Sequence, residues 1–117
     1  MVAYVDRVEP ALHARDVAGA IEFYGRLGFE ERFRDDEHAP TFALVRRDGA
    51  VIAIQWHDFE GVGDRPTLRF YVPDVDALSI EFGSDFDRTQ IGDTPWGTRE
   101  FHLRDPSGNG LQFYRDL

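Results

Sequence analysis

The sequence predicts an α+β chain built from two tandem β-α-β-β-β modules, and two observations carry that prediction. The first is a near-repeat. His13-Ala14-Arg15-Asp16-Val17 leads into Ala20-Ile21-Glu22-Phe23, and Tyr71-Val72-Pro73-Asp74-Val75 leads into Ser79-Ile80-Glu81-Phe82, with Asp16 and Asp74 standing 58 positions apart. The second is that the ends of the halves also match: Asp48-Gly49 precedes Val51-Ile52-Ala53-Ile54, and Ser107-Gly108 precedes Leu111-Gln112-Phe113. Two copies of one supersecondary unit are too few for a solenoid, so they imply a pseudo-two-fold pair of modules closing on each other or on a second chain.

In the first half, Tyr4 to Leu12 carries β-formers and reads as a strand interrupted at Glu9-Pro10. Proline in a strand belongs at an edge, a bend or a crossing point. Asp16 is placed to cap a helix whose apolar residues Val17, Ala20, Ile21 and Tyr24 recur at helical spacing, and Gly28 is placed to stop it. Strands are expected at 29–34, 41–46 and 50–56, the last two joined by the hairpin turn Asp48-Gly49. Asp58 to Pro66, acidic and glycine-bearing, reads as the linker.

The second half repeats the order. A strand is expected over 67–72, and Asp74 caps a short helix with Val75, Leu78 and Phe82 on one face before Gly83. A weak strand over 85–91 follows, then strands over 98–103 and 110–114 around Asp105-Pro106-Ser107-Gly108. The whole is expected to be one domain spanning 1–117, with modules of about 1–58 and 64–117.

Composition narrows the function. The net charge is −9, which disfavours nucleic acid and favours a cationic ligand. All 13 basic residues are arginine. With no cysteine, disulfides, thiolate catalysis and Cys-based zinc sites are excluded. No apolar run reaches membrane-span length and the N-terminus has no basic-then-apolar signal pattern, so a cytoplasmic protein without a membrane partner is expected. No phosphate loop, dinucleotide fingerprint or Gly-x-Ser-x-Gly turn occurs, and His13, His38, His57 and His102 show no i, i+2 or i, i+4 clustering among themselves.

Ala14 to Tyr24 with Arg26-Leu27-Gly28-Phe29, together with Pro95-Trp96-Gly97, Arg99-Glu100-Phe101 and Leu103-Arg104-Asp105-Pro106-Ser107-Gly108-Asn109, resembles the vicinal oxygen chelate superfamily. This is the glyoxalase/bleomycin-resistance/dioxygenase group, and the bleomycin-binding resistance proteins within it are the nearest in pattern. The resemblance implies half-open barrels, one per module, paired in an intertwined homodimer with Pro10 as the crossing point and a cleft at each interface. In the superfamily's enzymes four cleft positions hold a divalent metal. Carried onto this sequence they are Glu9, Ala53, Thr67 and Gln112. A metal that activates an oxygen substrate needs two or three imidazole or carboxylate ligands. Of these four, Glu9 alone is anionic, so no metal, no cofactor and no catalytic residue is expected.

The remaining candidates concern binding. Trp96, held between Pro95 and Gly97, offers a rigid stacking face and matches the tryptophan that lines the drug cleft of the resistance proteins. Asp35, Asp36 and Glu37 form an acidic run suited to steering a cation. Phe33, Gln55 and Gln112 are candidate cleft residues, and Arg69 stands where the resemblance places an aromatic one. The expected function is sequestration, without turnover, of a cationic aromatic small molecule of the bleomycin type. The alternative is a metal-dependent lyase, isomerase or dioxygenase using Glu9 and a histidine; a third reading is a non-catalytic sensor with an unrelated ligand.

Overall fold

The computed structural model describes residues 1–117, which divide into two compact units, 1–58 and 59–117. The first contains β1 (Ala11–Ala14), α1 (Val17–Arg26), β2 (Glu30–Arg34), β3 (Phe42–Arg47) and β4 (Ala50–Trp56). Its sheet has the order β1-β4-β3-β2, with β1 parallel to β4 and the other pairs antiparallel. The second contains β5 (Thr67–Tyr71), α2 (Val75–Phe82), β6 (Gly92–Asp93), β7 (Thr98–Arg104) and β8 (Gly110–Asp116). Its order, β5-β8-β7-β6 with β5 parallel to β8, repeats that of the first.

In the first unit the Asp16 carboxylate accepts from the Gly19 N–H at 3.0 Å and starts α1. The helix buries Val17, Ala20, Phe23 and Tyr24. Beneath it lie Leu12, Ala43, Val45, Ile52 and Ile54, all buried, which the strand register places on one sheet face (Leu12 and Ala43 both pair with Ile54, Val45 with Ile52). Ile52 and Ile54 are each 1% exposed, and burial of that extent stabilises by about 1.5–3 kcal/mol per side chain. Gly28 ends the helix at φ +84°, and an added Cβ would lie 2.8 Å from an Arg47 nitrogen. That guanidinium donates to the Leu27 carbonyl at 2.8 Å, so helix end and sheet are joined where only glycine fits. The outermost strand β2 slips register between Glu31 and Phe33, a bulge.

The second unit has an aromatic core. Phe113 stacks on Phe70 and Phe101 at 4.8 and 5.2 Å, and Phe82 of α2 meets Phe113 edge-on at 5.4 Å. Asp74 caps α2 through the Ala77 N–H. Arg88 donates to the Ser79 and Gly83 carbonyls at the other end of that helix and lies over Phe101. Arg99 forks onto Asp76 of α2 and also meets Asp93 of β6. The β7–β8 turn is tied by buried Asp105, whose carboxylate accepts from the Ser107 and Asn109 N–H groups and the Asn109 amide, each at 2.9 Å.

Three local expectations change. The strand expected from Tyr4 begins only at Ala11, because residues 4–9 have no strand beside them to pair with; the Pro10 carbonyl still accepts from the Ala53 N–H. Residues 85–91 form no strand beyond one bridge, Arg88 to Leu103, where the Thr89 N–H donates to the His102 carbonyl and the Arg104 N–H to the Asp87 carbonyl. In α1, Phe23 is buried and Ile21 only half-buried, so the apolar face keeps Val17, Ala20 and Tyr24 but leans toward Phe23. The hairpin turn Asp48-Gly49 forms as expected, with Asp48 at φ +49°, a conformation aspartate tolerates better than most side chains.

Replacing Asp105 by alanine leaves three N–H donors without their acceptor. A loss of about 2 kcal/mol or more is expected in denaturant unfolding. A change within about 0.5 kcal/mol, the range of an ordinary surface substitution, would show that this carboxylate does not organise the turn.

Candidate functional site

In the second unit, strand alternation puts α2 and the phenylalanine core on one face of the sheet and a polar row on the other. Across β5, β8 and β7 the register aligns Thr67, Gly110 and Arg104; then Arg69, Gln112 and His102; then Tyr71, Tyr114 and Glu100. Arg69 and Gln112, chosen from sequence 43 positions apart, are thus direct cross-strand neighbours. The Arg69 guanidinium lies 4.1 Å over the Tyr114 ring.

Glu100 organises this face. It is 6% exposed, and its carboxylate accepts from Thr98 Oγ1 at 2.7 Å and Gln112 Nε2 at 2.9 Å, with His102 Nε2 at 3.0 Å. Burial pushes its pKa up, but the hydrogen bonds from Thr98, His102 and Gln112 outweigh that and hold it below its ordinary 4.5. The network continues outward, because the Thr98 hydroxyl also meets the Thr94 hydroxyl at 2.8 Å. Thr94 and Thr98 bracket the turn that carries Pro95-Trp96-Gly97, in which Gly97 takes φ +95°. Trp96 is 69% exposed at its tip. Its ring is therefore presented to solvent on a turn anchored to a buried carboxylate.

In the first unit the face opposite α1 carries Ala11, His13, Phe42, Leu44, Ala53 and Gln55 by register. Phe33, half-exposed on β2, pairs with Leu44 and lies 6.3 Å from the Phe42 ring. Gln55 is flanked by Phe42 and His13. His13 stacks on His57 at 4.5 Å, with Asp58 3.5 Å from His57 Nδ1. The acidic run follows β2. Asp35 accepts from the Thr41 hydroxyl and from the Thr41 and Phe42 N–H groups, which lowers its pKa, and Asp36 accepts from the His38 and Ala39 N–H groups. Both carboxylates therefore shape the loop as well as charging it. Glu37 is fully exposed, near His38.

The four positions expected to correspond to a metal site do not suit a divalent ion. The Glu9 carboxylate is paired with Arg7 at 2.7 Å, Ala53 offers a methyl group, and Thr67 a neutral hydroxyl. Gln112 has its amide nitrogen committed to Glu100 and a cationic neighbour in Arg69. No group of three or more His, Asp or Glu side chains converges as it would around a metal ion. No helix is long and apolar enough to cross a membrane.

Glu100, Tyr71, Tyr114 and Arg104 have no site role in the sequence reading, and His102 stands there only as one of four unclustered histidines. The available signal was the i, i+2 alternation Thr98-Glu100-His102-Arg104, which puts all four on one strand face.

Residues 5–113 match the model of the glyoxalase/bleomycin resistance protein/dioxygenase superfamily. The chain belongs to that superfamily. No curated protein matches it in sequence. Among solved structures it is similar to the bleomycin-binding protein of bleomycin-producing Streptomyces verticillus complexed with copper(II)-bleomycin, at 33% identity, covering 97% of both chains with a TM-score of 0.78. It is also similar to the bleomycin resistance determinant encoded on the transposon Tn5 (20% identity, 96% of this chain and 98% of that one, TM-score 0.80). A lactoylglutathione lyase from Agrobacterium tumefaciens shares the fold too (19% identity, 96% and 95% covered, TM-score 0.72). Binding proteins and enzymes thus share this architecture, and the side chains must decide between them.

A carboxyl whose folded-state pKa is depressed stabilises the fold above its unfolded value and loses that contribution as pH falls through the folded one. Glu100→Gln is therefore expected to lower stability at neutral pH and to flatten the fall in stability below about pH 4.5. Parallel unfolding titrations of the variant and the parent check this. An unchanged acid limb would remove Glu100 as the organising group.

Proposed function

We propose that this protein sequesters a cationic, aromatic-bearing small molecule of the bleomycin type without turning it over. The observation that carries the reading is the 33% identity, over 97% of both chains, to a protein solved with copper(II)-bleomycin. The side chains agree with it in kind. Trp96 supplies an exposed stacking face, Asp35, Asp36 and Glu37 supply negative charge on one loop, and Phe33, Gln55, Arg69 and Gln112 line the polar and aromatic sheet faces. The set Glu9, Ala53, Thr67 and Gln112 lacks the donors that metal-assisted turnover requires.

The acting species in this proposal is an intertwined homodimer, with Pro10 as the point where one chain crosses to the other. Support comes from residues 1–10, which join no strand and expose Val2, Tyr4, Val5 and Val8. A soluble chain rarely leaves such a segment uncovered. Light scattering at micromolar concentration is expected to give near 27 kDa, about twice the 13.4 kDa chain. A mass of one chain overturns the dimer.

Calorimetric titration with bleomycin, in metal-free and copper-loaded forms, tests the ligand. Saturable binding with no chemical change in the recovered drug is expected. Trp96→Ala is expected to weaken it by about 1–3 kcal/mol, as loss of a stacking ring does elsewhere. Turnover of the drug, or an unchanged affinity in a folded Trp96→Ala variant, overturns the reading.

A further inference from the structure

Trp96 stands at the tip of a turn that the sheet itself holds only weakly. β6 gives it two residue pairs, Gly92 with Glu100 and Asp93 with Arg99, and the Leu117 N–H adds one bond to the Gly97 carbonyl. Pro95, Trp96 and Gly97 are all exposed, and a glycine at φ +95° has many other conformations within reach. A pair of threonines closes the turn. The Thr94 N–H donates to the Thr98 carbonyl at 2.8 Å, and the Thr98 N–H donates to Thr94 Oγ1 at 3.1 Å.

The two hydroxyls form a chain with a direction. An ionised carboxylate only accepts, so the single proton of the Thr98 hydroxyl goes to Glu100 Oε2, at 2.7 Å. Thr98 Oγ1 is then free to accept, and the Thr94 hydroxyl donates to it at 2.8 Å in preference to the Thr98 carbonyl at 3.2 Å. That leaves the lone pairs of Thr94 Oγ1 for the Thr98 N–H. Each group has one role, and the charge at Glu100 sets the order. The same Oε2 accepts from Gln112 Nε2 at 2.9 Å. One carboxylate oxygen of a buried residue thereby joins the turn to the open sheet face.

We propose that Glu100 is a positioning residue for Trp96, presetting the ring for the planar part of a ligand through Thr98 and Thr94. The proposal rests on the reading of Trp96 as a stacking residue and adds how that ring is kept ready. A tryptophan turns about two side-chain torsions only, so a fixed backbone leaves it few orientations. A ring that is already ordered loses less freedom when a ligand arrives. The hydroxyl chain supplies that order from beneath the turn, where Thr98 and Glu100 are 5% and 6% exposed, and leaves the indole itself open to solvent.

The chain has two tryptophans, so Trp56→Phe leaves Trp96 as the single indole reporter. Time-resolved fluorescence anisotropy of that full-length protein reads the ring's own motion, which falls on the picosecond to nanosecond scale. Thr98→Val keeps the side-chain shape and removes the hydroxyl, and is expected to raise the amplitude of the fast decay at least about twofold. Thr98→Ser returns the hydroxyl and is expected to restore the parent decay. Thr94→Val, at a half-buried position, removes the outer link and gives the deciding result should Thr98→Val not fold. An unchanged fast decay in the folded valine variants, or one raised equally by Thr98→Ser, overturns the proposal. Bleomycin titration of the same proteins is expected to give an affinity about three- to tenfold lower in the valine variants, the ordering cost of one side chain. Unaltered affinity with a loosened ring also overturns it. The anisotropy needs no drug, so the positioning is decided even where bleomycin does not bind, and the two readings fail separately.

Discussion

Each unit is closed by a pairing between its first and last strands, β1 with β4 and β5 with β8, and everything functional follows from that register. These are parallel contacts between segments separated by the rest of the unit, so the whole loop must be ordered before they form. Arg69 lies beside Gln112 because β5 adds in parallel to β8, and a shift of one residue would send the arginine into the phenylalanine core. The stacking of Phe70 on Phe113 makes such a shift costly, since Phe70 would leave the core for the open face. The same register limits the order of assembly. β5 has no parallel partner until Gly110 to Asp116 is in place, a contact far along the chain that slows folding.

Glu100 shows how a polar network gives one sheet face a fixed arrangement. Three donors converge on a carboxylate removed from water, and two of them, Gln112 and His102, also define the face that a ligand would meet. The third, Thr98, links the carboxylate to Thr94 and so to the turn bearing Trp96. Fully satisfied networks of this kind stiffen what they touch, and a partly satisfied one would be worse than an apolar patch. The acids of the first unit are used differently. Asp35 and Asp36 hold backbone N–H groups and leave their charge near the surface, whereas Glu37 is purely exposed.

Much of the architecture was legible in the sequence because it is written in local chemistry. Asp16 and Asp74 cap the helices, Gly83 ends the second, and Asp48-Gly49 joins two strands, each requiring only its neighbours. Family membership was legible for the same reason, as its motifs are turns and caps. What was not legible depends on partners far along the chain. Nothing near Arg69 says that it faces Gln112, and nothing near Glu100 says that it is buried. The start of β1 was misplaced because Tyr4 to Val8 has strand composition but no neighbouring strand to pair with. The rotation of α1 toward Phe23 is a packing outcome, with Tyr24 edge-on to both Phe23 and Phe29.

The bulge in β2 carries one more consequence. An outer strand presents unpaired backbone groups to any other extended chain it meets, which is how soluble sheets begin to aggregate. Here that strand reads Glu30-Glu31-Arg32-Phe33-Arg34, is kinked out of register at its middle, and has its counterpart β6 cut to two residues. Neither is a usable template for edge-to-edge growth. On these two edges a small, strand-rich chain is thereby protected from pairing with copies of itself as its concentration rises.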